Sequence, residues 1–254
     1  MAVKESIVAC NLGHVPYESA WRLQRQIQQR LIRAKQTSPT EKLAHIILLV
    51  EHPHIYTLGK SGDRAHLLSS EDELEKSGAA FIRVDRGGDI TYHGPGQLVV
   101  YPVLDLDRFF RDIHLYLREL EEAVIQTCAE FDINATRIAG RTGVWIMPEL
   151  PGGRARKICA LGIRCSRWVT MHGLGFNVNT DLSRYKHIIP CGIHDGDVTS
   201  IALEAGRRID ETYVQKVLLK HLGESFSADI SFLERREAED FLSTYLAPEA
   251  LPSF

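Results

Sequence analysis

The sequence has no long apolar run and no paired cysteine motif. None of its apolar stretches approaches the roughly 20 residues that a membrane-spanning helix needs, and the first residues, MAVKES, lack the apolar core of a signal peptide. Its five cysteines include no Cys-x-x-Cys pair, which favours reduced thiols over disulfides or a zinc site. We therefore expect a cytoplasmic protein that has no membrane partner.

Common cofactor and catalytic motifs are also missing. Gly59-Lys60-Ser61 lacks the upstream glycine of a phosphate-binding loop, and no third glycine completes a dinucleotide-binding fingerprint after Gly94-Pro95-Gly96 or Gly173-Leu174-Gly175. The eleven histidines contain no His-x-x-x-His pair for a metal, and no Gly-x-Ser-x-Gly nucleophile elbow occurs. The net charge of −3 argues against a general nucleic-acid binder. We expect no cofactor, no metal and no nucleic-acid partner.

What the sequence does contain is an alternation of short apolar strands with longer helical patterns. Strands are predicted at 6–10, 45–51, 80–84, 97–104, 143–147, 157–165 and 168–178. Helices are predicted at 17–36, after the capping box Ser70 to Glu73, at 112–131, at 209–222 and at 231–246. This alternation predicts an α/β (α+β) fold in which helices flank a mixed β-sheet.

No repeat or flexible linker divides the chain. We expect one main domain over residues 1–225 and a helical C-terminal extension over 226–254, to which the sequence assigns no role. Pro102 cannot donate a hydrogen bond, so it places the strand 97–104 at a sheet edge or marks its end. Residues 181–197 show no regular pattern and are expected to be irregular.

The stretch from Arg86 to Gln97 holds four glycines and a proline between two predicted strands. Glycine-rich backbone allows a bound molecule to approach the main chain closely. Because the stretch also carries Asp89, Tyr92 and His93, it is typical of the wall of a binding site. The alternative is a long hairpin turn with polar side chains.

Cys191 is the candidate nucleophile because it lies in an irregular segment between a proline and a glycine. A free cysteine is more often a small buried hydrophobic residue, and the other four cysteines fall in strand or helix patterns. An ordinary thiol has a pKa of about 8.5 and is only a few per cent ionised at neutral pH. A nearby ammonium would raise that fraction. Lys157, at the start of an apolar strand, is the candidate; the alternative is a solvated lysine at a strand end.

Four blocks of the sequence together resemble one enzyme family. They are RGGDITYHGPGQLVVYPVLDL at 86–106, KICALGIRC at 157–165, HGLGFNVNTDL at 172–182 and the segment around Pro190-Cys191-Gly192. In this order, with 34 positions between the lysine and the cysteine, they resemble the lipoyl(octanoyl) transferases over roughly residues 5–205. These enzymes move an octanoyl group from acyl carrier protein to a lysine of a lipoyl domain. The resemblance also implies a fold similar to the catalytic domain of biotin and lipoate protein ligases.

The resemblance implies roles for particular residues of the main domain, which would be the acyltransferase domain. Cys191 would carry the acyl thioester, and Lys157 would keep its thiol ionised. The wall of the acyl tunnel would be formed by one loop and two turns: Arg86, Gly87, Gly88, Asp89, Ile90, Thr91, Tyr92 and His93; Ala160, Leu161 and Gly162; and Gly173, Leu174 and Gly175. Apart from the resemblance, His93 and His172 are secondary candidates for positioning or proton relay; the alternative is that they are hydrogen-bonded within the loop walls.

The partners that the resemblance implies are octanoyl-acyl carrier protein as donor and lipoyl domains as acceptors. The acceptors would be the acyltransferase subunits of 2-oxoacid dehydrogenases and the glycine cleavage H protein. Between Arg137 and Arg167 there are seven basic residues and one acidic residue, Glu149. Such an excess predicts a positive rim that attracts an acidic carrier protein. The alternative is a set of solvated charges spread over several faces.

Two other functions are compatible with the same fold. An ATP-dependent lipoate or biotin protein ligase would activate the acid as an adenylate and would need no cysteine at position 191. A regulator that binds acyl carrier protein without catalysis would need neither Lys157 nor Cys191 in these positions.

Overall fold

The computed structural model describes residues 4–37, 42–192 and 195–246. The strands are β1 Glu5–His14, β2 His45–Glu51, β3 Ile55–Leu58, β4 Ala80–Arg83, β5 Ile90–His93, β6 Gln97–Val103, β7 Ala135–Ile138, β8 Arg141–Ile146, β9 Ala155–Ser166, β10 Val169–Asn177, β11 Gly196–Val198 and β12 Ala228–Leu233. The helices are α1 Tyr17–Thr37, α2 Glu71–Lys76, α3 Ile113–Ala129, α4 Ile201–Ala205, α5 Glu211–Ser225 and α6 Arg235–Leu246.

Among the described residues, nine strands form one mixed sheet. Eight of them follow the order β12-β1-β2-β6-β10-β9-β8-β7, and β11 pairs with β9 beside this path. β1 is parallel to β2 and β12, and β11 is parallel to β9, whereas the other neighbours are antiparallel. A second sheet has the order β4-β3-β5. The predicted α/β class with a mixed sheet is confirmed.

Helices cover both faces of the main sheet. On one face α3 and α5 bury Leu120, Val124 and Leu218, and on the other α1 and α6 bury Leu23 and Leu242. Apolar residues three or four positions apart give each helix the stripe that faces the sheet. Within the described ranges, no helix combines the length and apolar character that crossing a membrane requires.

Most of the predicted elements are present. The strand predicted at 45–51 is β2, and the helix predicted at 17–36 is α1. The capping box is formed in both directions: Ser70 Oγ accepts the Glu73 N–H, and Glu73 Oε2 accepts the Ser70 N–H at 2.8 Å. Strands β3, β5, β7 and β11 and the short α4 have no counterpart among the predicted elements, because runs of three to five residues carry too little periodicity.

The C-terminal segment begins with a strand, although the sequence predicts a helix over 231–246. In the structure Ala228–Leu233 is β12, which pairs in parallel with β1, and the helix starts only at Arg235. More and less buried residues alternate along β12, and this short period-2 signal is masked by the helical pattern that follows. The described part of the segment after residue 225 is therefore joined to the main sheet.

Pro102 marks the end of its strand and does not lie at a sheet edge. β6 is hydrogen-bonded to β2 on one side and β10 on the other, and it ends one residue after Pro102. A residue without an N–H is tolerated there because the antiparallel ladder with β10 stops at Val100.

The β10–β6 contact makes a testable prediction about stability. A Cβ on Gly173 would lie 2.1 Å from the Val100 carbonyl oxygen, a backbone atom that cannot move without shifting β6. We expect Gly173→Ala to lower the free energy of unfolding by about 2–3 kcal/mol, as overpacking of a core does. Gly13→Ala is the matched control, since its Cβ would meet nothing within 4 Å and only its φ of 62° costs about 1 kcal/mol. Equal losses in urea unfolding would contradict this account of Gly173.

Candidate active site

A cavity of about 420 Å³ lies between the small sheet and strands β9 and β10 of the main sheet. Its size is within the range of about 300–1,000 Å³ that is common for small-molecule sites. Its walls come from seven parts of the fold, namely α1, the turn after β3, the segment before β5 with β5 itself, β6, the start of β8 with the residue before it, β9 with β10, and the segment around Cys191. The lining residues are Tyr17, Ser61, Arg86, Gly88, Asp89, Thr91, His93, Tyr101, Gly140, Arg141, Thr142, Lys157, Ala160, Leu161, Gly162, His172, Gly173, Leu174, Gly175 and Cys191.

Lys157 and Cys191 meet in this cavity. The Lys157 Nζ lies 3.0 Å from the Cys191 Sγ. The lysine is only 7% exposed, so the alternative of a solvated strand-end lysine is wrong. Its ammonium also lies 4.6 Å from the centre of the Trp145 ring, a cation–π contact, and its stem runs past Gly143, where a Cβ would come within 3.3 Å of it. The ammonium is thus fixed beside the sulfur.

Cys191 has an unusual backbone conformation. Its φ of 55° and ψ of 20° lie in the left-handed region, which costs a non-glycine residue roughly 1–2 kcal/mol. Gly192 follows with a φ of 67°. Together they make a tight bend that places the cysteine side chain in the wall of the cavity. Strain of this kind clusters at functional sites, where the surrounding structure holds it in place.

The other cysteines are unsuited to act as nucleophiles. Cys10, Cys128 and Cys159 are fully buried. Burial raises the pKa of the Cys10 thiol to about 12, and it also raises the pKa of Cys128, Cys159 and Cys165 above the ordinary value. These four thiols therefore stay protonated at neutral pH, as their positions in strands and a helix predict.

The glycine-rich stretch is a wall of the cavity and is not a hairpin. β5 pairs with β3 in the small sheet, whereas β6 belongs to the main sheet. Successive side chains of a strand point to opposite faces, so Thr91 and His93 of β5 line the cavity. Ile90 and Tyr92 are also in the predicted set, but they pack into the core of the small sheet.

Arg86 organises the segment that precedes β5. Its Nη2 donates hydrogen bonds to the backbone oxygen and Oγ1 of Thr57 at 2.6 and 2.8 Å, and its Nη1 donates to the Gly87 oxygen at 3.1 Å. Burial lowers the pKa of Arg86 from its usual value. Gly88 lines the cavity, but Gly87, also in the predicted set, does not. Its N–H donates to the Ile163 carbonyl at 2.8 Å, so Gly87 joins this segment to β9.

The segments at 160–162 and 173–175 are paired strand, so the strands predicted at 157–165 and 168–178 are confirmed and the turns that the resemblance implies there are wrong. Gly173 lies opposite Gly162, and Gly175 lies opposite Ala160, in the antiparallel ladder of β9 with β10. Small residues occur here because other chain segments cross at close range: a Cβ on Gly162 would lie 2.8 Å from the Gly87 oxygen. The residues line the cavity, but as a flat strand surface.

The histidines of the walls are hydrogen-bonded and neutral. His93 Nδ1 is 2.7 Å from Gln97 Oε1, and His172 Nε2 is 2.8 Å from Asp85 Oδ1. Burial lowers the pKa of His93 to about 3 and lowers the pKa of His172 below its usual value. This matches the alternative that both histidines are held within the walls.

Several lining residues lie outside the predicted set. The clearest are two tyrosines, Tyr17 at the start of α1 and Tyr101 on β6, together with Arg141 and Thr142. Tyr101 lies within the block 86–106, so the four-block pattern contained a signal for it. Tyr17 had no such signal, because a helix-terminal tyrosine looks like a core residue in sequence. No cluster of three metal-ligating side chains occurs in the ranges that the structure describes.

The predicted positive rim is largely neutralised in the structure. Five of the seven basic residues between Arg137 and Arg167 form ion pairs with carboxylates from other parts of the chain. The pairs are Arg137 with Glu121 and Glu122, Arg141 with Asp195, Arg154 with Asp197, Arg156 with Glu204, and Arg164 with Asp85. A count along the sequence misses these partners, which are 15 to 79 positions away.

Comparison with known proteins gives the family of the chain. Residues 16–223 match the family model of the lipoyl protein ligase A/B catalytic domain. The octanoyltransferase of Flavobacterium johnsoniae is 51% identical over 225 residues, which cover 87% of this chain and 96% of that protein. The octanoyltransferase of Bacteroides fragilis is 48% identical over 208 residues, which cover 82% and 92%.

Solved structures share the fold at low sequence identity. A putative lipoate protein ligase from T. acidophilum is 17% identical, with a TM-score of 0.65 over 96% of this chain and 94% of that one. Lipoate-protein ligase A bound with ATP is also 17% identical, with a TM-score of 0.66 over 96% and 94%. These likenesses concern the fold alone, and the sequence relatives identify the activity. The chain belongs to the lipoyl protein ligase A/B catalytic domain family and, within it, is an octanoyltransferase.

Proposed function

We propose that this octanoyltransferase carries the octanoyl group as a thioester on Cys191, with Lys157 as the group that moves the protons. The observation that carries this proposal is the 3.0 Å contact between Lys157 Nζ and Cys191 Sγ at the wall of the cavity. An ammonium fixed beside a thiol stabilises the thiolate, which is the nucleophilic form. Lys157 also lies close enough to accept or donate a proton at the reacting atoms.

In the first half-reaction the Cys191 thiolate attacks the thioester carbonyl of octanoyl-acyl carrier protein. A new carbon–sulfur bond forms to Cys191, and the bond to the phosphopantetheine sulfur breaks. The departing thiolate takes a proton from the Lys157 ammonium and leaves as a thiol. Since one thioester replaces another, the exchange is nearly balanced in free energy and needs no ATP.

In the second half-reaction the acceptor lysine of a lipoyl domain attacks the thioester on Cys191. A free lysine has a pKa of about 10.4, so its ammonium first loses one proton to solvent. As the resulting amine attacks, Lys157, neutral after the first half-reaction, accepts the second proton from the reacting nitrogen. The amide forms, the Cys191 thiolate leaves, and the Lys157 ammonium again lies beside it. The cycle returns both groups to their starting states.

The cavity walls suit a short acyl chain. Leu161 and Leu174 supply apolar surface from neighbouring strands, and the small residues Ala160, Gly162 and Gly175 keep the space between them open. For the oxyanion of each half-reaction, the Gly192 N–H is not free in this conformation, since it donates to the Ile189 carbonyl oxygen at 3.0 Å. Stabilisation by that donor would require the bend to move.

The donor and acceptors follow from the activity. We propose octanoyl-acyl carrier protein as donor and lipoyl domains as acceptors, among them those of 2-oxoacid dehydrogenase acyltransferase subunits and the glycine cleavage H protein. A related archaeal structure is described as a bipartite lipoate protein ligase with its E2 lipoyl domain. Arg141 lines the cavity and forms an ion pair with an exposed aspartate, Asp195, so an acidic carrier can compete for it. These partners would meet the enzyme in the cytoplasm.

The assay that tests the proposal mixes octanoyl-acyl carrier protein with an apo lipoyl domain and no nucleotide. We expect transfer by the intact protein and an octanoyl mass on Cys191 when the acceptor is left out. Cys191→Ser should lower transfer by about a thousandfold or more, because a hydroxyl is not ionised by a nearby ammonium. Cys165→Ser, a partly exposed cysteine outside the cavity, is the matched control and should keep full activity. Full activity of the Cys191 variant would overturn the proposal.

Substitutions of Lys157 separate its charge from its proton transfer. Lys157→Arg keeps a positive charge but cannot act as a base, so we expect Cys191 to be acylated while the second half-reaction stalls and the acyl-enzyme accumulates. Lys157→Met removes both properties and should slow the acylation as well. Quenched-flow mass spectrometry of the two half-reactions measures this split. Normal turnover by the arginine variant would show that Lys157 is not the base.

A further inference from the structure

The segment that carries the nucleophile, residues 188–192, is here called the cysteine loop. A histidine and an aspartate pack directly on it. His66 Nδ1 is hydrogen-bonded to Asp89 Oδ2, and the two side chains are 22% and 15% exposed. A Cβ on Gly192 would lie 2.8 Å from Asp89 Oδ2 and 2.8 Å from His66 Cε1. The pair therefore lies against the backbone of the residue that follows Cys191.

His66 also holds the other end of the cysteine loop. Its carbonyl oxygen accepts the Ile189 N–H at 2.8 Å. Next to this hydrogen bond, the Leu68 N–H donates to the His187 oxygen at 2.8 Å, and Leu67 forms an antiparallel β-bridge with Ile188. The main chain around His66 thus anchors the start of the loop, and its side chain, with Asp89, contacts the end.

Asp89 is fixed from the opposite side. Its Oδ1 accepts the N–H of Ile90 at 2.7 Å and the N–H of Asp63 at 3.2 Å. The carboxylate therefore joins the start of β5, the turn before His66 and the cysteine loop. Because Ile90 belongs to a strand of the small sheet, this arrangement ties the loop to rigid structure.

The constraint matters because the Cys191 backbone is strained. A left-handed cysteine would relax to another conformation unless its neighbours prevent it. The loop's internal bond, from the Gly192 N–H to the Ile189 oxygen, closes the bend but does not fix its position relative to Lys157. Within the described part of the chain, the three atoms that a Cβ on Gly192 would meet first, beyond its chain neighbours, all belong to His66 and Asp89.

We propose that His66 and Asp89 are positioning residues, which hold the strained cysteine loop so that the Cys191 sulfur stays beside the Lys157 ammonium. This inference rests on the proposed role of Cys191 as the nucleophile. It assigns a function to His66, which no sequence motif indicated. Asp89 also lines the cavity, and the proposal gives it the role of holding the cysteine loop in addition to any contact with substrate.

Asp89→Asn and His66→Ala break the pair. An asparagine still accepts the N–H bonds of Ile90 and Asp63, but the hydrogen bond to His66 is lost or reversed. We expect each variant to lower the rate constant for acylation of Cys191 at saturating octanoyl donor by about tenfold, because fewer molecules hold the reactive conformation. The donor concentration at half-maximal rate should stay within about twofold. Single-turnover mass spectrometry of Cys191 measures both quantities.

A second measurement removes the substrate from the experiment. Iodoacetamide alkylates Cys191 without first binding as the octanoyl donor does. A displaced or less ionised sulfur should therefore react more slowly with it, again by about tenfold, in both variants. His66→Asn can still donate to Asp89 and should restore most of the rate. Glu71→Gln is the matched control: it removes the exposed Arg64–Glu71 pair beside the same turn without touching the loop, and it should behave like the unchanged protein.

The outcomes are distinct. If Asp89→Asn raises only the donor concentration at half-maximal rate and leaves alkylation unchanged, Asp89 contacts substrate only and the proposal is wrong. If all rates fall in proportion to the folded fraction seen by circular dichroism, the pair is merely structural and the proposal is also wrong. If the effects of the two substitutions add fully in the double variant, the residues do not act as a pair, which likewise overturns it. Should the unchanged protein fail to acquire an octanoyl group, the proposed function fails, but the alkylation rates still test the positioning.

Discussion

The contact between the Lys157 ammonium and the Cys191 sulfur is the interaction on which the rest of the site depends. A buried ammonium is unfavourable unless an anion or aromatic ring compensates it. Among the residues that the structure describes, its charged head meets the Trp145 ring and the cysteine sulfur, and no carboxylate forms an ion pair with it. The Cys191 sulfur is therefore the hydrogen-bond acceptor of this buried ammonium.

The fold supplies that contact by close packing of backbones. Glycines at 143 and 162 let the lysine stem and the Arg86 segment approach β8 and β9, where a Cβ would collide with neighbouring atoms. On the far side, Gly192 leaves room for the side chains of His66 and Asp89. Cys191, the proposed nucleophile, is thus held between two strands of the main sheet and the start of a strand of the small one. Each of these approaches depends on the absence of a side chain.

Charged side chains near the surface are neutralised by ion pairs, whereas the histidines in the cavity walls are uncharged because they are buried. The arginines near the cavity are matched by carboxylates from distant segments, so the sum of charges along the sequence overstates the local field. The histidines of the walls are neutral because burial lowers the pKa of His93 to about 3 and lowers that of His172 below its usual value. With these histidines neutral, the Lys157 ammonium is the cation within hydrogen-bond distance of the Cys191 sulfur among the described residues.

The sequence by itself determined the fold class, most of the longer elements, the octanoyltransferase resemblance and the choice of Cys191 and Lys157. These follow from local periodicity and from residue types at fixed positions, which do not need three-dimensional contacts. Only the tertiary structure decided that the 160–162 and 173–175 segments lie opposite each other in one ladder, that Ile90 and Tyr92 face away from the cavity, and that His66 reaches the cysteine loop. Short strands carry too little periodicity to reveal their pairing, and contacts between residues 66, 89 and 192 arise only when three separate segments pack together.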